Sequence, residues 1–128
     1  MSSNVTYKYI RQNPDIHTYI KNADAAVKAQ GYTEHSFAHV EKAADTVKMI
    51  LEGLGYDERK VELGMIAAYL HDIGNVINRI DHAQSGAVMA FRLLDNLNMP
   101  AEEICDIISA IGNHDEGTAQ PLNAITAA

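Results

Sequence analysis

Apolar side chains recur at three- and four-residue intervals along most of this chain, the period of a helix with one buried face. Strand-like alternation of useful length is missing, as are internal repeats and low-complexity runs, so the pattern predicts an all-α fold. Asn13 and Pro14 form a cap and a first helical residue. Ile16, Ile20, Ala23 and Val27 follow as the buried stripe, and Gly31 stops the helix. His17 falls off that stripe and reads as a surface residue. A second helix is predicted after a cap at Thr33, with Val40, Ala43, Ala44, Val47, Leu51 and Leu54 facing inward and Gly53 to Gly55 ending it. The third starts at the capping Asp57, carries its charge in the first turn, and is apolar on nearly every side from Met65 to Leu70. Such a helix belongs at the centre, where Met65 and Tyr69, like Met89 later in the chain, fill core.

Beyond it, Asn75 to Asp81 reads as a loop or irregular turn. His82 opens a further helix, whose Ala83, Ser85, Gly86 and Ala87 let a neighbouring backbone come close. Pro100, Glu102 and Glu103 mark another helix start, with acidic groups favoured by the positive end of the helix dipole. Ile104, Ile107, Ile108 and Ile111 are its buried stripe, and the run from Gly112 to Gly117 closes it. The tail PLNAITAA reads as the opening of one more helix that the chain does not complete.

Composition narrows the picture. A chain of 128 residues, 47% hydrophobic, suits one domain spanning 1–128 with a core of ordinary size. A formal charge of -7 argues against broad binding to nucleic acid or an anionic membrane, since both need a basic face. Cys105 is the only cysteine, which excludes an internal disulfide and a thiolate metal cage. The start, MSSNVTYKYIRQNPD, lacks the apolar run of a signal peptide, and no later stretch is clean enough to span a bilayer. The expectation is a cytoplasmic protein, with a homo-oligomer left open.

The chemistry lies in four histidines and one aspartate. The central helix ends in His71-Asp72, and His39, His82 and His114 each stand at an end or edge of an apolar helix. Burying several imidazoles and a carboxylate without compensation costs a few kcal/mol per group, comparable with the whole net stability of a small domain. A metal ion removes that cost by taking up the ring lone pairs and the negative charge. Neutral imidazoles with a carboxylate suit a divalent transition metal, iron or manganese first and zinc, cobalt or nickel next, over the all-oxygen shells of magnesium and calcium.

These residues give the chain a family resemblance. His39-Val40 in a helix, His71-Asp72-Ile73-Gly74 after an apolar helix, the later His82, and His114 in NHDE are similar to the HD-domain metal-dependent phosphohydrolases, from about Tyr32 to Glu116. The resemblance implies a compact helical bundle of about five to six helices. It also implies one metal ion on His39, His71 and Asp72, a second on His82 and His114, and Asp72 bridging the two. His71 and Asp72 are then the catalytic pair. A two-metal site binds a phosphoryl group, acidifies the water between the ions and stabilises the charge of displacement. The implied activity is hydrolysis of a small phosphorylated molecule such as a nucleotide.

Two departures from the family pattern are visible. The family carries a further aspartate after the last histidine, whereas no carboxylate follows Glu116 here, which reads as a truncated last helix. Many relatives have lysine after HDIG, where this chain has Asn75, and Arg79 is the nearest substitute cation. Arg79, Asn75 and His35 are the candidates for contact with substrate. Asp81, Asp115 and Glu116 are candidates to orient the ligand imidazoles through their second ring nitrogen. Two rival readings remain beside the hydrolase: a ligand-sensing or signalling module with a structural metal, and a di-iron oxygenase built on the same ligands.

Overall fold

A computed structural model describes residues 5–31 and 37–114, and within them the chain is helical with no strand. Six helices follow one another: α1 Tyr7–Gln12, α2 Pro14–Ala29, α3 Phe37–Gly53, α4 Glu58–Leu70, α5 His82–Asn96 and α6 Ala101–Gly112. The all-α class and the helix number agree with the sequence reading. Thr33, His35, Asp115, Glu116 and the tail after them lie outside the described residues.

Caps set most of the boundaries. The Asn13 side chain accepts from the Asp15 and Ile16 amides, and Pro14 takes the first helical position, as the Asn-Pro pair predicts. Asp57 caps α4 by accepting from the Lys60 amide at 2.8 Å. The unexpected helix is α1. Thr6 caps it through the Tyr9 amide, but Ile10 is its only buried residue, so a six-residue element leaves almost no periodic signal.

At the other end of α3 the chain departs from expectation at Leu54, which is exposed rather than inward. The helix stops at Gly53, and the left-handed turn at Gly55 (φ 85°) points Leu54 at solvent.

Helix α4 takes the centre. Val61, Leu63, Ile66, Ala67, Tyr69 and Leu70 are all buried, and α4 packs against α1, α3 and α6. Its continuation gives the irregular turn expected from Asn75 a defined form and an earlier start: residues Ile73–Val76 are a 3-10 turn held between α2 and α5. The reason is local. The Asn75 amide nitrogen bonds back to the Asp72 carbonyl at 2.9 Å, and the backbone bonds of the turn close over it.

Arg59 ties three parts of the fold together. Its guanidinium donates to both carboxylate oxygens of Glu103 on α6 (2.9 and 2.6 Å), to Glu62 (2.7 Å) and to the carbonyl of Val5 (2.9 Å). The hydrogen bond from Arg59 holds the Glu103 carboxyl below its usual range against the opposing effect of burial. A lowered folded-state pKa adds stability that is present above the unfolded value, about 4.3, and is lost as pH falls through the folded one. Glu103→Gln is therefore expected to cost about 1–2 kcal/mol at pH 7 in urea unfolding, with the gap to wild type closing under acid. An equal cost at neutral and acid pH would show that the charge contributes nothing.

Candidate metal centre

Helix α4 runs out at Leu70, with His71 as its C-cap and Asp72 next, so the doublet stands at the end of the most buried rod of the fold. The Asp72 carboxylate is 6% exposed and faces two pairs of rings. Its Oδ2 lies 3.0 Å from His71 Nε2 and 3.4 Å from His39 Nε2. Its Oδ1 lies 3.4 Å from His82 Nε2 and 3.9 Å from His114 Nε2. The donor atoms of His39, His71 and Asp72, and separately those of Asp72, His82 and His114, all fall within 4.8 Å of one another. Four helices supply the rings: α3 gives His39, His71 caps the end of α4, α5 opens with His82, and His114 follows α6.

Three of the rings are oriented in the same way. Nδ1 of His71 faces the carbonyl of Ala68, Nδ1 of His82 that of Arg79 at 3.0 Å, and Nδ1 of His114 that of Ile111, each three residues back. A carbonyl only accepts, so Nδ1 carries the hydrogen and the neutral ring keeps its lone pair on Nε2, toward Asp72. For these three rings a main-chain carbonyl faces the second ring nitrogen. Asp81 in particular does not orient His82: it is exposed, in a left-handed conformation (φ 57°), and makes no side-chain cap bond, while the Arg79 carbonyl already holds the ring.

The consequence is a pair of lone pairs without a hydrogen between them. His82 Nε2 and His114 Nε2 sit 3.2 Å apart, and with Nδ1–H on both rings neither can donate to the other. A cation reconciles them. At metal–nitrogen bonds of about 2.1 Å, two nitrogens at that separation subtend about 100° at a shared ion, an ordinary angle between neighbouring ligands. The donor set therefore fits a divalent metal, in two groups that share one carboxylate.

Without a cation the cluster has protons to place. Burial disfavours the charged form of the His71 imidazole, but the hydrogen bond and charge of Asp72, with the Ala68 carbonyl, outweigh it and raise its pKa above the ordinary value. Burial and the neighbouring His71 charge hold His114 below that value. Metal entry thus competes with a proton shared by His71 and Asp72.

Among the candidates for substrate contact, Asn75 faces inward. It is 1% exposed, and its amide links the Asp72 carbonyl to Arg79, whose Nη1 lies 3.4 Å from Asn75 Oδ1. The 3-10 turn places this side chain beneath the aspartate, where it acts as scaffold rather than as a contact surface. Arg79 is half-buried and close enough for its charge to act on His71. One residue therefore holds the His82 ring with its carbonyl and brings a guanidinium to the same centre.

The family model described as HD domain matches residues 36–128. The uncharacterized protein MJ1020 of Methanocaldococcus jannaschii is 25% identical over 133 aligned residues, covering 87% of this chain and 51% of that protein. The chain spans about half the length of this curated relative. No solved structure matches it.

Proposed function

The chain belongs to the HD domain family, and on that premise we propose that it is a metal-dependent phosphohydrolase acting on a small phosphoester, with nucleotides as the leading substrate class. The observation that carries the proposal is the Asp72 carboxylate, with one oxygen toward His39 and His71 and the other toward His82 and His114. A fold hosts many activities, so the argument rests on this site and not on helices. Iron or manganese is the expected metal, with zinc, cobalt and nickel as alternatives.

A metal pair held there would polarise a phosphoryl oxygen and lower the pKa of a bound water. The residues of the chain do the rest. His71 turns Nε2 toward one oxygen of Asp72, and His82 and His114 turn theirs toward the other, because main-chain carbonyls fix their Nδ1 hydrogens. Asp72 keeps the two histidine pairs in register from a site that solvent barely reaches. His39, whose side chain is 42% exposed, leaves one side of the cluster open for a phosphoester to enter. Arg79, steadied by Asn75, supplies a planar cation near His71 that is suited to phosphate oxygens.

The direct test is phosphate release by the full chain, loaded in turn with iron, manganese, cobalt, nickel and zinc, on a panel of nucleotides and simple phosphoesters. Turnover that depends on the metal is the expected result. No turnover with any of them defeats the reading and favours a ligand-sensing module.

A further inference from the structure

The two halves of the metal centre are not built alike. On one side, His82 Nε2 lies 3.2 Å from His114 Nε2 and 3.4 Å from Asp72 Oδ1, and His114 Nε2 lies 3.9 Å from that same oxygen. A triangle with those sides has a point about 2.1 Å from all three corners, the length of a metal–nitrogen bond, so these donors need not move to take an ion. Their surroundings hold them in place. The side chains of His82 and His114 are only 11% and 24% exposed, and the carbonyls of Arg79 and Ile111 face their Nδ1 atoms.

A clasp between helices keeps this pair of rings together. Gln84 of α5, just after His82, donates from Nε2 to the carbonyl of Gly112 at the end of α6, at 2.7 Å. His114 follows shortly, and between them the Asn113 side chain folds back on the Ser109 carbonyl at 2.9 Å. The two helices are already close there: a Cβ built at Gly112 would lie 3.7 Å from Ala87 Cβ and from Gln84 Nε2. The other half depends on His39 in α3, whose side chain is 42% exposed and reaches Asp72 Oδ2 at 3.4 Å. An exposed side chain changes rotamer freely, so this imidazole can turn into water and release an ion. Release on the side of His82 requires a packed ring to leave its carbonyl.

We propose that Asp72, His82 and His114 hold a resident ion, while the ion on His39, His71 and Asp72 exchanges with solution, so that free metal converts a one-ion form of the protein into the two-ion form that takes phosphate. Gln84 is a positioning residue for the resident ion: it touches no ligand, but its bond to Gly112 sets how far His114 stands from His82. The inference rests on the metal centre of the phosphohydrolase reading, but it is read in ions rather than in turnover.

The test counts ions in the full chain. Manganese-loaded wild type is dialysed against EDTA, and metal per chain is followed by elemental analysis. One ion should leave early and one should stay, with anomalous scattering from crystals of the partly stripped protein placing the retained ion between His82 and His114. His39→Ala should keep that ion and never take up the early one. Gln84→Met, similar in size but unable to donate, should weaken the retained ion about tenfold, the scale for a group that supports a ligand from outside, and leave the early one unchanged. Equal weakening of both ions in Gln84→Met, or a retained ion beside His39, overturns the proposal. Loss of both ions together from a wild type whose turnover needs metal overturns it as well and leaves the phosphohydrolase standing. One retained ion between His82 and His114, with no hydrolysis of any ester, supports the proposal and removes the phosphohydrolase.

Discussion

Gly74→Ala is expected to destabilise the protein by more than about 3 kcal/mol, a large part of the net stability of a domain this size. A Cβ built at Gly74 would lie 2.0 Å from the carbonyl oxygen of His82 and 2.5 Å from the amide nitrogen of Gly86. Both are main-chain atoms of α5, so no side chain can swing aside, and the helix itself must withdraw. The damage is also specific, because moving the first turn of α5 carries His82 away from Asp72. Gly53→Ala is the control: its added Cβ meets nothing within 4 Å, and in a helix end it should be neutral or stabilise by up to about 1 kcal/mol. Urea unfolding of the two variants side by side checks the claim. A Gly74→Ala midpoint equal to wild type would mean that the turn and α5 are not in backbone contact.

Asp72→Ala should abolish metal binding in both groups at once, since the carboxylate is common to them. Elemental analysis of protein reconstituted with manganese or iron is expected to find metal in wild type and none in the variant. The same loss should be visible as stability. A ligand present at about a thousand times its Kd stabilises the folded state by about 4 kcal/mol, so chelation should lower the melting temperature of the loaded wild type by roughly 10 °C or more. The variant should melt at the same temperature with and without chelator. Retained metal in Asp72→Ala, or a wild-type melt indifferent to chelation, would refute a centre organised by this carboxylate.

The helices, and the residues worth suspecting, were legible in the sequence because both depend on local chemistry. Ile16, Ile20, Ala23 and Val27 recur at the helical period, Asn13-Pro14 and Asp57 cap as their side chains dictate, and a doublet at the end of an all-apolar helix needs a partner for its charge. The short α1 is not legible because one buried isoleucine carries no period. An irregular turn is legible from Asn75 on, but its 3-10 form and its start at Ile73 are not, because they depend on the Asn75 side chain folding back on Asp72, a contact that no spacing announces.

What decided the site lay beyond local pattern. Asp81 is a candidate to orient a ligand imidazole, yet a main-chain carbonyl three residues back holds the adjacent His82 ring, and two further rings are held the same way. Carbonyls are present at every position, so sequence cannot mark the ones that matter. His17, unremarkable on the surface of α2, gains an aromatic partner only when α3 brings Phe37 beside it.

By itself, then, the order of residues determined an all-helical chain and named His39, His71, Asp72, His82 and His114 as groups in need of a cation. The tertiary structure alone decided that they meet. Packing of Gly74 against Gly86 sets how closely α5 approaches the end of α4, and that approach, a matter of van der Waals contact between distant backbones, brings two pairs of imidazoles to opposite oxygens of one carboxylate.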